Sequence, residues 1–559
     1  MALAALVIWW GERSTAHLGV AVAGMGFAGA ALLLVVADVE RAMLLAALLA
    51  AAIVGASRIK YEHSGLKLMV TDLPLLFAGT ARFFLRQYPL AVMTVAAGGL
   101  ALLGATVATL AYAHGAPVAF AWRAAIFLAA AVGLFAAYRA GGGAAWVRPT
   151  AAQRRWFLSA FIASLADPGS WRQFGGLSLS DIADDPLPLI GAMPARVTDY
   201  PDIIFIQHES VFDPRLYGLP VDPEVAAFLS PQDGAFGALN VDIFGGGSWQ
   251  SEFSVLTGLS SASFGSNAYF LFKRGVGRFH NTLPHVLAAL GYKTTLVSSC
   301  RRGFLNYDAF YRAAGMNTRV FTDDLPPPFD LARFETTNSD AMFLRAVAGE
   351  HARHIADDAS PRFLYALTNF NHGPHRRRLA ASDVHARARD FAAASLPDPE
   401  YAEYYARLAE TAAAWAAFRA ELATRSPQRP TLVVHYGDHQ PVMTRRIETR
   451  RGLPFDPQRQ FRTFYAIESL QGADRLHAGR GRVLDIAFLG TVALQQAGLP
   501  LDEVFATRAS LLDQCGEAYF ASTSERKRRF HRTLVARGLI DIAGARDVGI
   551  KPGFSLLKP

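Results

Sequence analysis

Residues 202–210 read DIIFIQHES, a short apolar run that stops on a histidine, a glutamate and a serine. DIIFIQ (202–207) is too short for a globular helix. Its lack of polar alternation marks a strand buried on both faces. The same pattern returns downstream in TTLVSS (294–299), FLYALT (363–368) and TLVVHY (431–436). FLYALT runs into NFNHGPH, and TLVVHY runs into GDHQP. LPHVLAALG (283–291) reads as a helix with a glycine stop, and 376–424, rich in Ala, Arg and Glu, reads as mostly helical. FRTFYAIES (461–469) and a helix near 484–497 follow. Apolar strands separated by helices predict an α/β domain with a mostly parallel central sheet covered on both faces.

Open sheets of this kind collect ligands beyond the carboxyl ends of their strands. Glu209 follows the first strand, His372 and His375 follow FLYALT, and Asp438 and His439 follow TLVVHY. Ser248 follows the segment GALNVDIF. Taken singly, each is a common cap or turn residue. Taken together, Glu209, Asp438 and His439 offer two carboxylates and an imidazole, a set that suits one divalent cation: manganese first, magnesium or zinc otherwise. Such an ion lowers the pKa of a coordinated hydroxyl. A serine hydroxyl is a weak nucleophile without a base or a metal beside it.

DIFGGGSWQSEF (242–253) therefore carries two readings. Ser248 is either the N-cap of a helix over WQSEFSVLTGL or a nucleophile. Three glycines permit dihedrals closed to other residues and a close backbone approach. The run has neither the G-x-S-x-G spacing of a serine elbow nor the Lys-Ser/Thr ending of a phosphate loop. The pattern alone leaves both readings open.

Ahead of this domain the chain is apolar. Uncharged or nearly uncharged runs cover 18–37, 42–57, 90–112 and 116–138, the last interrupted by Arg123. The opening MALAALVIWW is short for a span, and 69–81 reads as a re-entrant or buried segment. Recurrence over 138 residues excludes a cleavable signal peptide. The expected organisation is a multi-helix transmembrane bundle of four or five helices over 1–138, a connector over 139–198, a catalytic domain over 199–525 and a basic tail over 526–559. Within the connector, WFLSAFIASL reads as a helix that packs or lies on the bilayer. The net charge of +8 favours anionic partners such as lipid headgroups. No zinc-finger spacing or RNP-like segment points to nucleic acid. Two cysteines, Cys300 and Cys515, define no disulfide framework and read as unpaired.

IFIQHES, GGGSWQSEF, FLNYDAFY and VVHYGDHQP, in this order, resemble the lipoteichoic acid synthase-like branch of the alkaline phosphatase/sulfatase superfamily. IKYEHSGLKLMVTDLPLL in the membrane region is similar to that family's loop with an aspartate-leucine pair. The resemblance implies a membrane anchor joined to an alkaline phosphatase-like (sulfatase-type) catalytic domain. It implies one ion, usually Mn²⁺, held by Glu209, Ser248, Asp438 and His439, with serine in place of the family's threonine. His372 matches a histidine that contacts the phosphoryl group, and His375 is a second candidate in the same loop. The family's headgroup run, Phe-Trp-Asn-Arg, corresponds to Phe304-Leu305-Asn306-Tyr307, so tryptophan and arginine are both replaced. Asn306, with Arg301 and Arg302 nearby, supplies the substrate-binding candidates.

The family's activity implies transfer of a phosphoglycerol or phosphoethanolamine headgroup from a phospholipid donor to an envelope glycan or glycolipid acceptor. A covalent phospho-Ser248 would be the intermediate. The implied location is the bacterial inner membrane, with the catalytic domain on the outer side. The alternatives are a phosphodiesterase or phosphatase with water as acceptor, and an inactive envelope assembly protein. Sulfate-ester hydrolysis is not expected, because Ser248-Trp249-Gln250-Ser251-Glu252 lacks the proline and arginine of the formylglycine motif.

Overall fold

A computed structural model describes residues 2–12, 17–64, 67–70, 72, 89–113, 115–140, 157–166, 171, 177, 179, 181–325, 329, 339–357, 360–425, 429–454, 456–470 and 481–542. The chain divides into two compact units, Met1–Gly176 and Leu177–Pro559.

Among its described residues the first unit contains four helices long and apolar enough to cross a membrane, with spans Leu18–Val36, Val39–Tyr61, Val92–Tyr112 and Phe120–Ala140. At 1.5 Å per residue, 19 to 23 residues match a hydrocarbon core of about 30 Å. Asp38 ties two of the interhelical connections together: it accepts the Arg41 N–H at 3.0 Å and the Gly115 N–H, while Arg41 Nε donates to the Ala113 carbonyl. The short helix Phe157–Ala166 belongs to this unit and is buried from Phe157 through Ser164, so WFLSAFIASL packs against the apolar helices here and not on the following domain. Buried Glu12 accepts the N–H and hydroxyl of Ser159 at 2.7 and 2.8 Å. Most of the 69–81 segment lies outside the described residues.

The second unit is built on an eight-stranded sheet ordered β4-β3-β5-β1-β6-β7-β2-β8. The strands are β1 (Asp202–His208), β2 (Gly234–Asn240), β3 (Lys293–Ser298), β4 (Thr318–Val320), β5 (Arg362–Leu367), β6 (Thr431–Gly437), β7 (Arg462–Leu470) and β8 (Leu484–Asp485). Every pairing is parallel except those of β7, which runs against β6 and β2. The apolar strands cover both faces as their composition requires. Ile203 and Phe205 of β1 point into one core cluster, and Ile204 and Ile206 point into the other. Each fully buried side chain of this size contributes about 1.5–3 kcal/mol.

The register sets the height of the site. Gln207 is level with Leu367 of β5 and Tyr436 of β6, so β1, β5 and β6 end together. Gly437 lets the strand ends close up: a Cβ there would lie 1.8 Å from the Val211 carbonyl oxygen.

The expected connector divides between the units. Its later part packs on the second one, where Met193 and Arg196 donate backbone N–H groups to Leu501 and Gly498. The expected basic tail begins inside the fold instead: helix Glu525–Ala536 puts Phe530 and Leu534 into the core, and Lys527 is buried on Asp181. Neither cysteine is in a disulfide.

Candidate active site

Glu209 emerges from β1, and Asp438 and His439 emerge from β6, the adjacent strand. Their ligand atoms lie within 4.8 Å of one another, and all three residues are buried. His439 Nδ1 lies 3.1 Å from the Gln440 carbonyl. A carbonyl can only accept, so Nδ1 carries a proton and Nε2 is the ligand atom. Nε2 stands 3.4 Å from Glu209 Oε1 and 3.6 Å from Asp438 Oδ2. Asp438 Oδ1 accepts the N–H groups of Ser210 and His439, both at 2.7 Å, while buried Oδ2 has no hydrogen-bond partner.

Two buried carboxylates this close repel. Burial pushes Glu209 up, but His439 and His372, with hydrogen bonds from Ser210 and Ser248, bring it below its ordinary value. Asp438 is pushed well above the carboxylate range by burial and then by Glu209. An orphaned oxygen, a paired carboxylate and an imidazole nitrogen aimed at one point are a donor set that a divalent cation fits.

Ser248 finds its side-chain partners outside its own helix. It stands at the N-cap of helix Trp249–Thr257, but its side chain makes no capping bond. Oγ instead donates to Glu209 Oε2 at 2.8 Å and lies 3.3 Å from His439 Nε2. The three glycines ahead of it have φ of 80°, 147° and 93° for Gly245, Gly246 and Gly247, conformations that L side chains avoid. Gly245 N–H donates to the Gln440 carbonyl at 2.9 Å, which ties the serine loop to the β6 loop.

His372 is half-buried at the start of the loop after β5, and its charge acts on Glu209. Nδ1 lies 2.6 Å from the Gly373 carbonyl, so Nδ1 is protonated and Nε2 is the remaining ring atom. His375 is enclosed in the fold rather than presented beside it. It donates from Nε2 to the Asn371 carbonyl at 2.9 Å, packs edge-on against Tyr404, and is pushed down to about 3 by burial, so it stays neutral.

The substrate-binding candidates are occupied structurally. Arg302 binds Asp308 and Asp324, both at 2.7 Å, and lies over the Phe321 ring. Asn306, in a left-handed conformation, donates to the Phe272 carbonyl at 2.8 Å. Arg301 is half-buried next to Arg302. Tyr307, at the position where the resemblance has arginine, turns inward: its hydroxyl donates to Glu252 Oε1 at 2.9 Å, and Tyr311 donates to the other oxygen. Burial raises Glu252 to about 8 despite these donors.

Sequence reasoning missed several supports. Ser210, at φ 56°, donates from Oγ to Glu209 Oε1 at 2.6 Å. Ser251 Oγ donates to the Asp438 carbonyl at 2.6 Å. Gln440, fully buried, accepts from Tyr217 and donates to the carbonyls of Arg459 and Arg462. Only adjacency to Glu209 or Asp438 could have singled out Ser210 and Gln440.

Residues 201–467 match the sulfatase family model, a span that runs from the residue before β1 into β7 and so contains every ligand residue. The α/β unit thus contains a region similar to the sulfatase family. An uncharacterized protein of Haemophilus influenzae is 25% identical over 311 residues, 55% of each chain, so the present chain spans about half the length of that curated relative. Among solved structures, the domain is similar to Streptococcus pyogenes phosphoglycerol transferase GacH in complex with sn-glycerol-1-phosphate, at 17% identity and TM-score 0.46 over 60% of this chain and 84% of that one. It is also similar to the Listeria monocytogenes lipoteichoic acid synthase LtaP, at 16% identity and TM-score 0.43 over 59% and 77%. A third likeness is the C-terminal periplasmic domain of Escherichia coli EcEptC, at 14% identity and TM-score 0.40 over 56% and 86%.

Proposed function

We propose that the protein is a metal-dependent phosphotransferase of the inner membrane. In this reading it moves a phosphoglycerol or phosphoethanolamine headgroup from a phospholipid to an envelope glycan or glycolipid. The observation that carries it is the Ser248 hydroxyl, which leaves its helix uncapped and sits instead against Glu209 and His439. A structural N-cap would have bonded its own helix.

Glu209, Asp438, His439 and Ser248 would hold one divalent cation, Mn²⁺ by resemblance, which would lower the hydroxyl pKa and offset charge on the phosphoryl oxygens. Glu209 fixes the orientation of Oγ through its 2.8 Å bond. Ser248 passes its proton to Glu209 Oε2, which accepts its hydrogen bond, as the Oγ–P bond forms and the bond from phosphorus to the diacylglycerol oxygen breaks. His372, protonated at Nε2, gives that leaving oxygen its proton. The enzyme then carries a phosphoserine diester. In the second half the acceptor hydroxyl passes its proton to His372 and attacks phosphorus, and Ser248 leaves and takes its proton back from Glu209. This order is ping-pong. The four apolar helices keep the domain beside a donor that resides in the bilayer, and the outer face of the membrane is the side where envelope acceptors are found.

Proteoliposomes with headgroup-labelled phosphatidylglycerol or phosphatidylethanolamine and Mn²⁺ test the reading. Diacylglycerol should appear with wild-type protein and be absent with Ser248→Ala. Equal release by both proteins rejects it.

A further inference from the structure

Arg407 lies on helix Pro399–Arg425 and is fully buried. Its guanidinium reaches three backbone carbonyls of the loop after β5. Nη1 donates to Phe370 at 3.3 Å and to His372 at 3.0 Å, and Nη2 donates to Arg377 at 2.6 Å. Nε donates to Glu403 Oε1 at 3.1 Å, one turn earlier on the same helix. That oxygen also accepts the N–H groups of Leu379 and Ala380, at 2.7 and 3.2 Å. The other Glu403 oxygen takes both Nε and Nη2 of Arg389, at 3.1 and 2.9 Å. One buried guanidinium and one buried carboxylate thus fasten residues 370–380 from beginning to end.

Burying such charges is expensive, and apolar packing would hold a loop at lower cost. What a planar fork adds is direction: it fixes several carbonyls at once in one geometry. The middle carbonyl of the three belongs to His372, in the loop that follows β5, whose end is level with the end of β1 just before Glu209. We propose that Arg407 is a positioning residue, which locks the His372 backbone so that Nε2 faces the reacting phosphoryl group. The proposal rests on the phosphotransfer reading above. Arg407 touches no substrate; it acts through His372.

The test is a double-mutant cycle on the full-length, detergent-solubilised protein with Mn²⁺, using phosphatidylglycerol in mixed micelles as the diester, because its alkoxide leaving group needs a proton. Arg407→Lys keeps the charge and loses the fork. Misplacement of a reacting group by about 1 Å costs on the order of 10²-fold, so kcat should fall by about 30-fold or more with KM within about twofold. In a His372→Ala background the same substitution should cost less than about twofold, because the group it positions is gone. Arg446→Lys is the control. It loosens ion pairs to Asp398 and Glu400 next to the start of the same helix and should leave kcat near wild type. If Arg407→Lys does not fold, Glu403→Gln replaces it in the cycle, since it keeps an oxygen for Leu379 and Ala380 while removing the ion pair.

Losses that multiply in the double mutant, or a kcat unchanged by Arg407→Lys, overturn the positioning role while leaving phosphotransfer intact. Turnover by Ser248→Ala equal to wild type instead rejects phosphotransfer itself, and the positioning role with it.

Discussion

Two regions near the carboxyl ends of the sheet treat their polar groups in opposite ways. Around β1 and β6, ligand atoms of Glu209, Asp438 and His439 converge on one point, and Asp438 Oδ2 is left without a partner. In Phe304–Tyr307 and its surroundings, polar groups are consumed inside the fold: Asn306 on a carbonyl, Tyr307 on Glu252, Arg302 on two aspartates. Unsatisfied buried groups cost about 1–3 kcal/mol each and persist where something else is meant to satisfy them. The first region is therefore poised for a ligand, and the second is finished as structure. On the proposed reading, chemistry resides in the cage, and Tyr307, turned inward onto Glu252, is not where a headgroup would be recognised.

The largest effect expected from this contrast is in the cage. Asp438→Ala should abolish bound manganese, measured by elemental analysis of the purified protein, and should lower turnover by about 10³-fold or more. Retained metal would break the contrast at its stronger end. His372→Ala, beside the cage, should cost about 10²-fold in kcat, read with the same diester.

Glu252 sharpens the other end. Its folded pKa of about 8 lies above the ordinary 4.5, so the folded state binds the extra proton between those values. Its contribution to stability is full below pH 4.5 and is lost as pH rises toward 8, with a slope of up to about 1.4 kcal/mol per pH unit. Glu252→Gln should flatten that part of the Tm-against-pH curve and leave manganese binding unchanged. The smallest effect belongs to Arg302→Ala. Half-exposed ion pairs are worth about 1 kcal/mol or less, so a small drop in Tm and turnover within about threefold are expected. A large rise in KM would show that Arg302 leaves its aspartates to bind substrate.

The elements legible in sequence were those whose burial is written in composition. β1, β5 and β6 are apolar on both faces because both faces are covered, and their polar ends announced Glu209, Asp438 and His439. β2 was different. GAFGALN carries little strand preference, and it is held by pairing along its full length with β7, which is far away in the chain. The role of Ser248 was undecidable by spacing, since an N-cap and a nucleophile occupy the same helix position. Its contact with Glu209, 39 residues earlier, is what favours the nucleophile reading proposed above. Arg407 was invisible for a related reason. In an Ala-, Arg- and Glu-rich helix, a buried arginine has the same letter as a solvated one, and the carbonyls it binds belong to another loop. Arg302 and His375 are the opposite case: suitable chemistry near a suitable motif, in side chains whose partners in the fold, Asp308, Asp324 and the Asn371 carbonyl, the sequence does not show.

The central claim is that Ser248 is a metal-centred nucleophile, and covalent capture tests it most directly. Purified protein would be incubated with Mn²⁺ and phosphatidylglycerol or phosphatidylethanolamine, quenched in acid, and measured by intact and peptide mass spectrometry. The account predicts a phosphoglycerol or phosphoethanolamine adduct on the peptide containing Ser248, absent without metal and absent in Ser248→Ala. Headgroup release with no adduct, undiminished in Ser248→Ala, would contradict it.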